Sequence, residues 1–191
     1  MIRYLKIFFI VSLFIFTSCS EETANIPSKN QKQKNEPVHS ETSSVKRVVD
    51  GDTFELENGE RVRLLGIDTP EKFTSNKMDS DAKKSGLDVE TIKQLGEAAS
   101  HYADSLMEGR KIFLVSDPLN DDKDRYGRLL RYIYTEDGML YNLKIILDGY
   151  AFAYTNFPVI MKDTFLNAEE SARKNKRGLW SNESFNKLKE N

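Results

Sequence analysis

The amino-acid sequence predicts an α+β fold that is mainly β: a small antiparallel barrel with helices packed at one end. Three observations in the sequence support this prediction. Alternating apolar residues mark short strands near the start of the folded part, a longer helical pattern follows, and further strands precede terminal helices. An OB-type barrel is one fold of this kind, and the pattern alone leaves several others open.

The first predicted strands are joined by short turns. In the segment 45–67, VKRVVDGDTFELENGERVRLLGI, the dipeptide Asn58-Gly59 separates two alternating runs. Both turn residues tolerate positive φ, which favours a hairpin. The DGD sequence at 50–52 predicts a second turn. Two later strands are predicted at 111–115 and 129–134.

Helical periodicity predicts three helices. Apolar residues recur on one face across 91–108 and across 163–177, and a shorter helix is predicted at 140–147. The segment 72–88, between the first strands and the first helix, is rich in Lys, Ser and Asp. It is predicted to be a mobile surface loop.

The N-terminal sequence is typical of an exported protein. A run at 7–16 that is apolar except for Ser12 follows two basic residues, and its length suits a signal-peptide core better than a bilayer span. Small residues just before Cys19 resemble the lipobox of bacterial lipoproteins, which implies a signal peptide at 1–19 and a lipid on Cys19. We therefore expect a membrane-anchored protein of the cell envelope. Ordinary signal-peptide cleavage and an uncleaved anchor are the alternatives.

The rest of the chain divides into three parts by composition. The segment 20–44 has almost no large apolar residues, so it cannot bury enough surface to offset its chain entropy and is predicted to be a flexible linker. The folded domain is predicted at 45–181, and 182–191 is predicted to be a C-terminal tail. Removing the signal peptide takes two basic residues and no acidic residue from a chain whose formal net charge is −2. The mature protein therefore has no overall positive charge to attract nucleic acid.

Few residue types are available for disulfides or metal sites. Cys19 is the single cysteine, which excludes an intrachain disulfide. His39 and His101 are the two histidines of the sequence, too few for a Cys/His zinc site. A metal in this protein must therefore be held by oxygen atoms, which favours calcium, magnesium or manganese.

Charged residues cluster at three predicted strand ends. The clusters are DGDT at 50–53, Arg63 with DTPE at 68–71, and DRYGR at 124–128. If the clusters converge, several carboxylates share one site and repel each other, and a divalent cation with oxygen ligands removes that penalty. Two arginines beside such a metal favour a phosphate-bearing substrate, because a guanidinium group binds phosphate oxygens in pairs.

Six sequence blocks together identify a family resemblance. Between 45 and 180 the chain contains, in order, VVDGDTFEL, RLLGIDTPE, LGEAAS, DRYGRLLRYIY, YNLKIILDGYA and GLW. In this order they resemble the staphylococcal nuclease, or thermonuclease, family. The resemblance implies a five-stranded OB barrel with about three helices. It also implies a calcium-dependent, sugar-nonspecific endonuclease that cleaves DNA and RNA to give 3′-phosphate ends.

The resemblance implies roles for residues at the matching positions. Calcium would be held by Asp52, Asp68 and the main-chain carbonyl of Thr69, with Asp50 close behind them. The implied catalytic residues are the general base Glu71 and two phosphate-binding cations, Arg63 and Arg128.

Contacts with the substrate are predicted at four positions: Asp124, Arg125, Tyr126 and Tyr154. Arg125 stands where the family block has a lysine. The family also has two pocket tyrosines spaced two residues apart, but here Tyr154 is followed by Thr-Asn-Phe, so the second tyrosine is missing. We expect this difference to change the contacts with nucleotides.

Two other functions stay open on the sequence alone. One is a non-catalytic OB-fold module that binds nucleic acid or protein, and the presence of the complete acid and arginine set argues against it. The other is a purely structural lipoprotein, which leaves that set unexplained. The expected partners are therefore DNA and RNA as substrates and a membrane through lipidated Cys19. The chain is expected to be a monomer.

Overall fold

The computed structural model describes residues 40–189. The predicted signal peptide, Cys19 and the part of the predicted linker before Ser40 lie outside these residues, as do 190 and 191. Within 40–189, no helix is both long enough and apolar enough to cross a membrane. The lipid anchor and the envelope location stay predictions from the sequence.

Five strands close a barrel, and two short strands form a separate pair. In chain order the strands are β1 (Ser40–Asp50), β2 (Thr53–Leu56), β3 (Arg61–Leu64), β4 (Ile67–Asp68), β5 (Lys111–Val115), β6 (Leu129–Thr135) and β7 (Phe152–Ala153). The barrel order is β1-β2-β3-β6-β5, and β4 pairs with β7. All pairs are antiparallel except β3 with β6. The closed barrel confirms the predicted α+β fold with an OB-like barrel.

Five α-helices surround the barrel in the described part of the chain, where about three were expected. They are α1 (Asn76–Ser85), α2 (Val89–Met107), α3 (Tyr141–Leu147), α4 (Lys162–Lys174) and α5 (Glu183–Lys189), with a 3₁₀ turn at Gly178–Ser181. The helices α2, α3 and α4 match the three predicted helices, with ends that differ by a few residues. The helices α1 and α5 were not predicted.

Apolar side chains from every barrel strand fill the interior. Val45, Phe54, Val62, Leu114 and Ile133 come from β1, β2, β3, β5 and β6, and each is at most 2% exposed. Burying one side chain of this size contributes about 1.5–3 kcal/mol. The barrel is therefore a stable support for the charged residues at its strand ends.

Strand β1 begins at Ser40, ahead of the domain boundary predicted at Val45. Residues 40–44 pair with β5 in a register that joins Ser40 to Val115 and Ser44 to Lys111. Their side chains are polar and mostly exposed, so main-chain hydrogen bonds rather than apolar burial hold this part of the strand. A hydrophobic pattern cannot reveal such a strand, and the sequence therefore assigns these residues to the linker.

The segment 72–88, predicted to be a loop, contains α1. Ser75 caps this helix by accepting a hydrogen bond from the main-chain N–H of Met78 at 3.1 Å, and Gly86 ends it in the left-handed conformation. Met78 is the one residue that α1 buries, so the apolar stripe that predicts an amphipathic helix is missing. The loop prediction was wrong because it relied on that stripe and not on the caps.

The predicted C-terminal tail at 182–191 contains α5 in its described part. Phe185 of this helix is fully buried, with its ring centroid 4.3 Å from that of Phe152 and 4.9 Å from that of Trp180. One aromatic residue in an otherwise polar segment gives no periodic pattern, which is why the sequence predicts a tail. The aromatic cluster holds α5 against the strand pair that includes β4.

Candidate functional site

The charged strand ends converge, as predicted, around one cleft of about 980 Å³. The turn after β1, the ends of β3 and β4, and the loop before β6 each contribute to its walls. The predicted site residues that line it are Asp50, Asp52, Arg63, Asp68, Glu71, Asp124, Arg125, Tyr126, Arg128 and Tyr154. Thr69 lies behind this wall and is 3% exposed.

Arg63 lies between two of the acidic residues. Its Nη1 is 3.1 Å from Oδ1 of Asp52, and its Nη2 is 3.1 Å from Oδ1 of Asp68. Nη1 also donates to the main-chain carbonyls of Leu64 and Ile67, at 3.1 and 3.0 Å. These contacts hold the guanidinium group in one orientation at the point where β3 turns into β4.

Asp52 links the turn after β1 to the segment after β4. Its Oδ2 accepts hydrogen bonds from the main-chain N–H and the hydroxyl of Thr69, at 2.9 and 3.1 Å. A Cβ added at Gly51 would lie 2.8 Å from Cγ2 of Thr69, so this close packing requires a glycine. Burial alone would raise the pKa of Asp52, but the charge of Arg63 and hydrogen bonds to the carboxylate hold it below its usual value. Asp52 is therefore ionised at neutral pH.

Asp50 and Asp68 titrate differently from Asp52. Burial, and then the charge of Asp52, raise the pKa of Asp50 to about 7. Burial also raises the pKa of Asp68 to about 6, although the charges of Lys77 and Arg63 oppose the shift. The cations of the cleft therefore do not fully compensate its carboxylates, and Asp50 and Asp68 keep their protons to a higher pH than ordinary aspartates do.

Replacing Asp50 with asparagine is expected to stabilise the metal-free protein more at about pH 8 than at about pH 5. The pKa of Asp50 is about 7 in the folded state, above its ordinary value of 3.8, so the folded state binds more protons than the unfolded state between these pH values. The free energy of unfolding therefore falls as the pH rises through this window, and the variant lacks that loss. Chemical denaturation in chelator should show a gain that is larger at pH 8 than at pH 5 by about 2–3 kcal/mol. An equal gain at both pH values would contradict the shifted pKa.

Lys77 lines the cleft but was not among the site residues predicted from the sequence. Its Nζ donates to the main-chain carbonyl of Thr69 at 3.2 Å and lies 3.2 Å from Oδ2 of Asp68 and 3.3 Å from Oε1 of Glu71. Burial alone would lower the pKa of Lys77, but the charges of Asp68 and Glu71 raise it above its usual value. Recognition of α1 would have placed Lys77 in its first turn, four residues before Asp81, with which it forms an ion pair.

The loop before β6 holds the second predicted arginine. Nε and Nη2 of Arg128 each lie 2.7 Å from Oδ2 of Asp124. Oδ1 of Asp124 accepts the main-chain N–H groups of Tyr126 and Arg128, at 2.9 and 3.0 Å. Both oxygens of Asp124 thus have partners within the loop, and the residue supports Arg128. Its contact with the substrate stays a prediction.

Aromatic rings lie beside the arginines of the cleft. Tyr126 is 68% exposed, and the guanidinium carbons of Arg125 and Arg128 lie 4.8 and 5.5 Å from its ring centroid. The ring of Tyr154 is 6.0 Å from that of Phe157, which is 61% exposed and also lines the cleft. Phe157 was not among the site residues predicted from the sequence. Its side chain supplies a second ring beside Tyr154, although the second family tyrosine is missing.

The main chain that carries Glu71 packs directly against α2. A Cβ added at Gly96 would lie 2.4 Å from the carbonyl oxygen of Glu71. A residue larger than glycine would therefore move either α2 or the segment with the predicted base. This close approach explains the glycine in the block LGEAAS.

The oxygen atoms on the acidic side of the cleft fit a hard metal ion. Within 40–189, no three acidic, histidine or cysteine side chains by themselves form a metal-binding group. However, Oδ2 of Asp68, the carbonyl of Thr69 and Oε1 of Glu71 converge on the Lys77 ammonium, so this position accommodates a cation. Carboxylate and carbonyl oxygens are the donors that calcium prefers.

Comparisons with known proteins agree with this geometry. The model of a protein family described as "Staphylococcal nuclease homologue" matches residues 61–182. The chain is 32% identical to a thermonuclease of Staphylococcus intermedius over 154 residues, which is 78% of this chain and 82% of that protein. It is 37% identical to the uncharacterized protein MJ1439 of Methanocaldococcus jannaschii over 147 residues, covering 72% of this chain and 70% of the relative. It is 33% identical to endonuclease YhcR of Bacillus subtilis over 72% of this chain but only 11% of that longer protein.

Proposed function

This chain belongs to the staphylococcal nuclease family and is an endonuclease, and we propose that it uses calcium to hydrolyse both DNA and RNA, leaving 3′-phosphate ends. The observation that carries the proposal is the position of Arg63. Its guanidinium group bridges Asp52 and Asp68, the two side chains proposed to hold the metal, at the wall of the cleft. A phosphate bound there would contact the guanidinium group of Arg63 and the metal ion at the same time.

Calcium is the proposed metal because the ligands at this position are hard oxygen atoms. Asp52, Asp68 and the carbonyl of Thr69 would hold it, with Asp50 close behind. A bound ion of this kind draws negative charge away from the phosphodiester as the transition state forms. The raised pKa values of Asp50 and Asp68 agree with a site whose acidic residues are only partly compensated by protein cations.

The chain's own residues supply the remaining chemistry. Arg63 and Arg128 line the same cleft and can bind the phosphate oxygens, so that the growing negative charge meets fixed donors. Glu71 takes a proton from the attacking water, and its 28% exposed side chain is accessible to solvent. The bond between phosphorus and the 5′-oxygen then breaks, so the phosphate stays on the 3′-oxygen of one fragment and the other fragment leaves with a 5′-hydroxyl.

Individual cationic side chains rather than overall charge would attract the nucleic acid. The whole chain has a formal net charge of −2, and the loop before β6 brings Lys123, Arg125 and Arg128 to the cleft beside the acidic Asp121 and Asp124. Cationic side chains on one face bind a phosphate backbone by releasing counterions. Tyr126 and Phe157 add exposed rings, and the half-buried Tyr154 lies beside Phe157, so unpaired bases can stack on this side of the cleft.

We also propose that the nuclease acts at the cell envelope, anchored by a lipid on Cys19. Support for this location comes from the apolar run at 7–16 and the single cysteine that follows it. The polar segment between the anchor and the barrel would let the cleft reach nucleic acid outside the membrane.

Cleavage is expected to stop when calcium is removed. The purified full-length chain in detergent would be incubated with plasmid DNA and with RNA, in calcium or in excess chelator. We expect both substrates to be cut in calcium and neither in chelator, because the acidic cluster alone cannot offset the charge of the transition state. The cut DNA ends should block polymerase extension until a phosphatase removes the 3′-phosphate. Undiminished cleavage in chelator would contradict the calcium dependence, and directly extendable ends would contradict the proposed bond cleavage.

A further inference from the structure

Lys77 occupies the position on which the proposed metal ligands converge. Its Nζ lies 3.2 Å from Oδ2 of Asp68 and 3.2 Å from the carbonyl oxygen of Thr69, both of which are proposed calcium ligands. It also lies 3.3 Å from Oε1 of Glu71, the proposed base. One ammonium group thus contacts a metal-binding side chain, a metal-binding carbonyl and the base at the same time.

An ammonium group and a metal ion cannot share these oxygens. Calcium binds oxygen at about 2.3–2.6 Å, so an ion held by Asp68 and Thr69 would lie well within repulsive range of an unmoved Lys77. Direct contact of two cations in a cleft with restricted solvent is strongly unfavourable. One of the two must leave before the other can use the ligands.

The structure shows which part of Lys77 can move. The main chain of α1 is held by the Ser75 cap and by the fully buried side chain of Met78. The side chain of Lys77 is 38% exposed and flexible, and its Nζ already lies 3.5 Å from Oδ2 of Asp81, one helical turn further on. Asp81 is neither a proposed metal ligand nor part of the cleft wall. The ammonium group can therefore change partners without any movement of the helix.

We infer that Lys77 is a built-in competitor for the metal, which calcium must displace toward Asp81, and that this residue sets the metal affinity of the site. The inference rests on the proposed function, since it concerns the same oxygen ligands. In the metal-free protein, Lys77 neutralises Asp68 and Glu71 and keeps their repulsion low. A metal ion must displace the ammonium group from these oxygens before it binds, so a higher concentration of the ion is needed to fill the site. Lys77 thus sets the metal concentration at which the cleft is occupied.

Calcium affinity is the first test of this inference. Isothermal titration calorimetry on the full-length chain in detergent would compare the natural protein with Lys77→Met, which keeps the length and helix propensity but lacks the charge. The matched control is Lys84→Met, an exposed lysine in the last turn of the same helix. We expect the calcium Kd of Lys77→Met to fall by about tenfold or more, with the Lys84→Met value within about twofold of the natural protein.

The outcomes separate this inference from the proposed function. An unchanged or higher Kd in Lys77→Met, with calcium binding intact in the natural protein, would overturn the competitor and leave the calcium site standing. Absence of calcium binding in every form would overturn both, since Lys77 would then have no metal to exclude.

A second measurement needs no substitution and covers the case in which Lys77→Met fails to fold. Acylation of lysines in the natural protein would be followed by mass spectrometry with and without calcium. Calcium should speed the labelling of Lys77 severalfold, because the ammonium group exchanges three close oxygen partners for one, and it should leave Lys84 unchanged. Equal labelling of Lys77 in both conditions, at calcium concentrations that saturate the site, would overturn the inference.

Discussion

Replacing Arg63 with alanine is expected to lower the rate of nucleic-acid cleavage by about 10²–10³-fold or more. The substitution removes a group that donates hydrogen bonds to the phosphate. It also removes the positive charge that lies between Asp52 and Asp68. Those carboxylates are 9% and 20% exposed, so the loss also leaves repelling charges that are largely shielded from solvent. The free energy of unfolding in chelator is therefore expected to fall by about 3 kcal/mol. Single-turnover cleavage and chemical denaturation measure the two effects separately.

The variant Arg63→Lys separates catalysis from stability. A lysine restores one positive charge, but it cannot bind two carboxylates and a phosphate through a planar group. Part of the stability should return while cleavage stays low. Arg61, an exposed residue on the same strand, is the matched control, and Arg61→Ala should leave both quantities near those of the natural protein. Normal cleavage by folded Arg63→Ala would remove Arg63 from the catalytic residues.

Changing Glu71 to glutamine is expected to reduce kcat by about 10²–10⁴-fold, because an amide cannot accept the proton of the attacking water. The fold should be retained, since glutamine has nearly the same size and the side chain is 28% exposed. The packing of Gly96 against the Glu71 carbonyl involves only the main chain and is left in place. Initial rates at saturating substrate, in calcium, measure the effect.

The matched control for Glu71 is Glu57→Gln, at an exposed acidic residue in the hairpin turn between β2 and β3. It removes the same charge without touching the cleft, so kcat should stay within about twofold. If folded Glu71→Gln cleaves DNA at the natural rate, a different group must accept the proton. Unfolding of Glu71→Gln at the assay temperature would show instead that the ion pair with Lys77 is structural, and Lys77→Met would then be expected to unfold as well.

Most of the barrel could be predicted from the sequence because its strands follow simple rules. The Asn58-Gly59 turn is one example: Gly59 has a φ of +84° while Asn58 does not have positive φ, so the loop 57–59 is a three-residue hairpin loop that needs one left-handed glycine. The alternating residues around it include Phe54 and Val62, both fully buried. The start of β1 and the helices α1 and α5 do not follow such rules. Main-chain pairing, helix caps and the single aromatic Phe185 hold them, and none of these produces a hydrophobic period.

The candidate site was predicted as a set of residues but not as an arrangement. Charged clusters at strand ends, and the family blocks that contain them, singled out the acidic residues and arginines that the structure brings to one cleft. Their internal pairing could not be predicted. Asp124 supports Arg128 through both its oxygens, and Phe157 stands beside Tyr154. Such contacts depend on loop conformation, which a sequence pattern does not specify.

The family, the barrel and the chemical character of the cleft could be inferred from the sequence, because carboxylate oxygens combined with guanidinium groups favour a metal ion and a phosphate. The cation that contacts those oxygens could be identified only in the folded arrangement. Lys77 lies in a segment without apolar periodicity, and it reaches Asp68 and Glu71 because α1 turns it toward them. An ion pair between residues on different elements depends on distances of a few ångströms in space, and a local pattern along the chain contains no such distances.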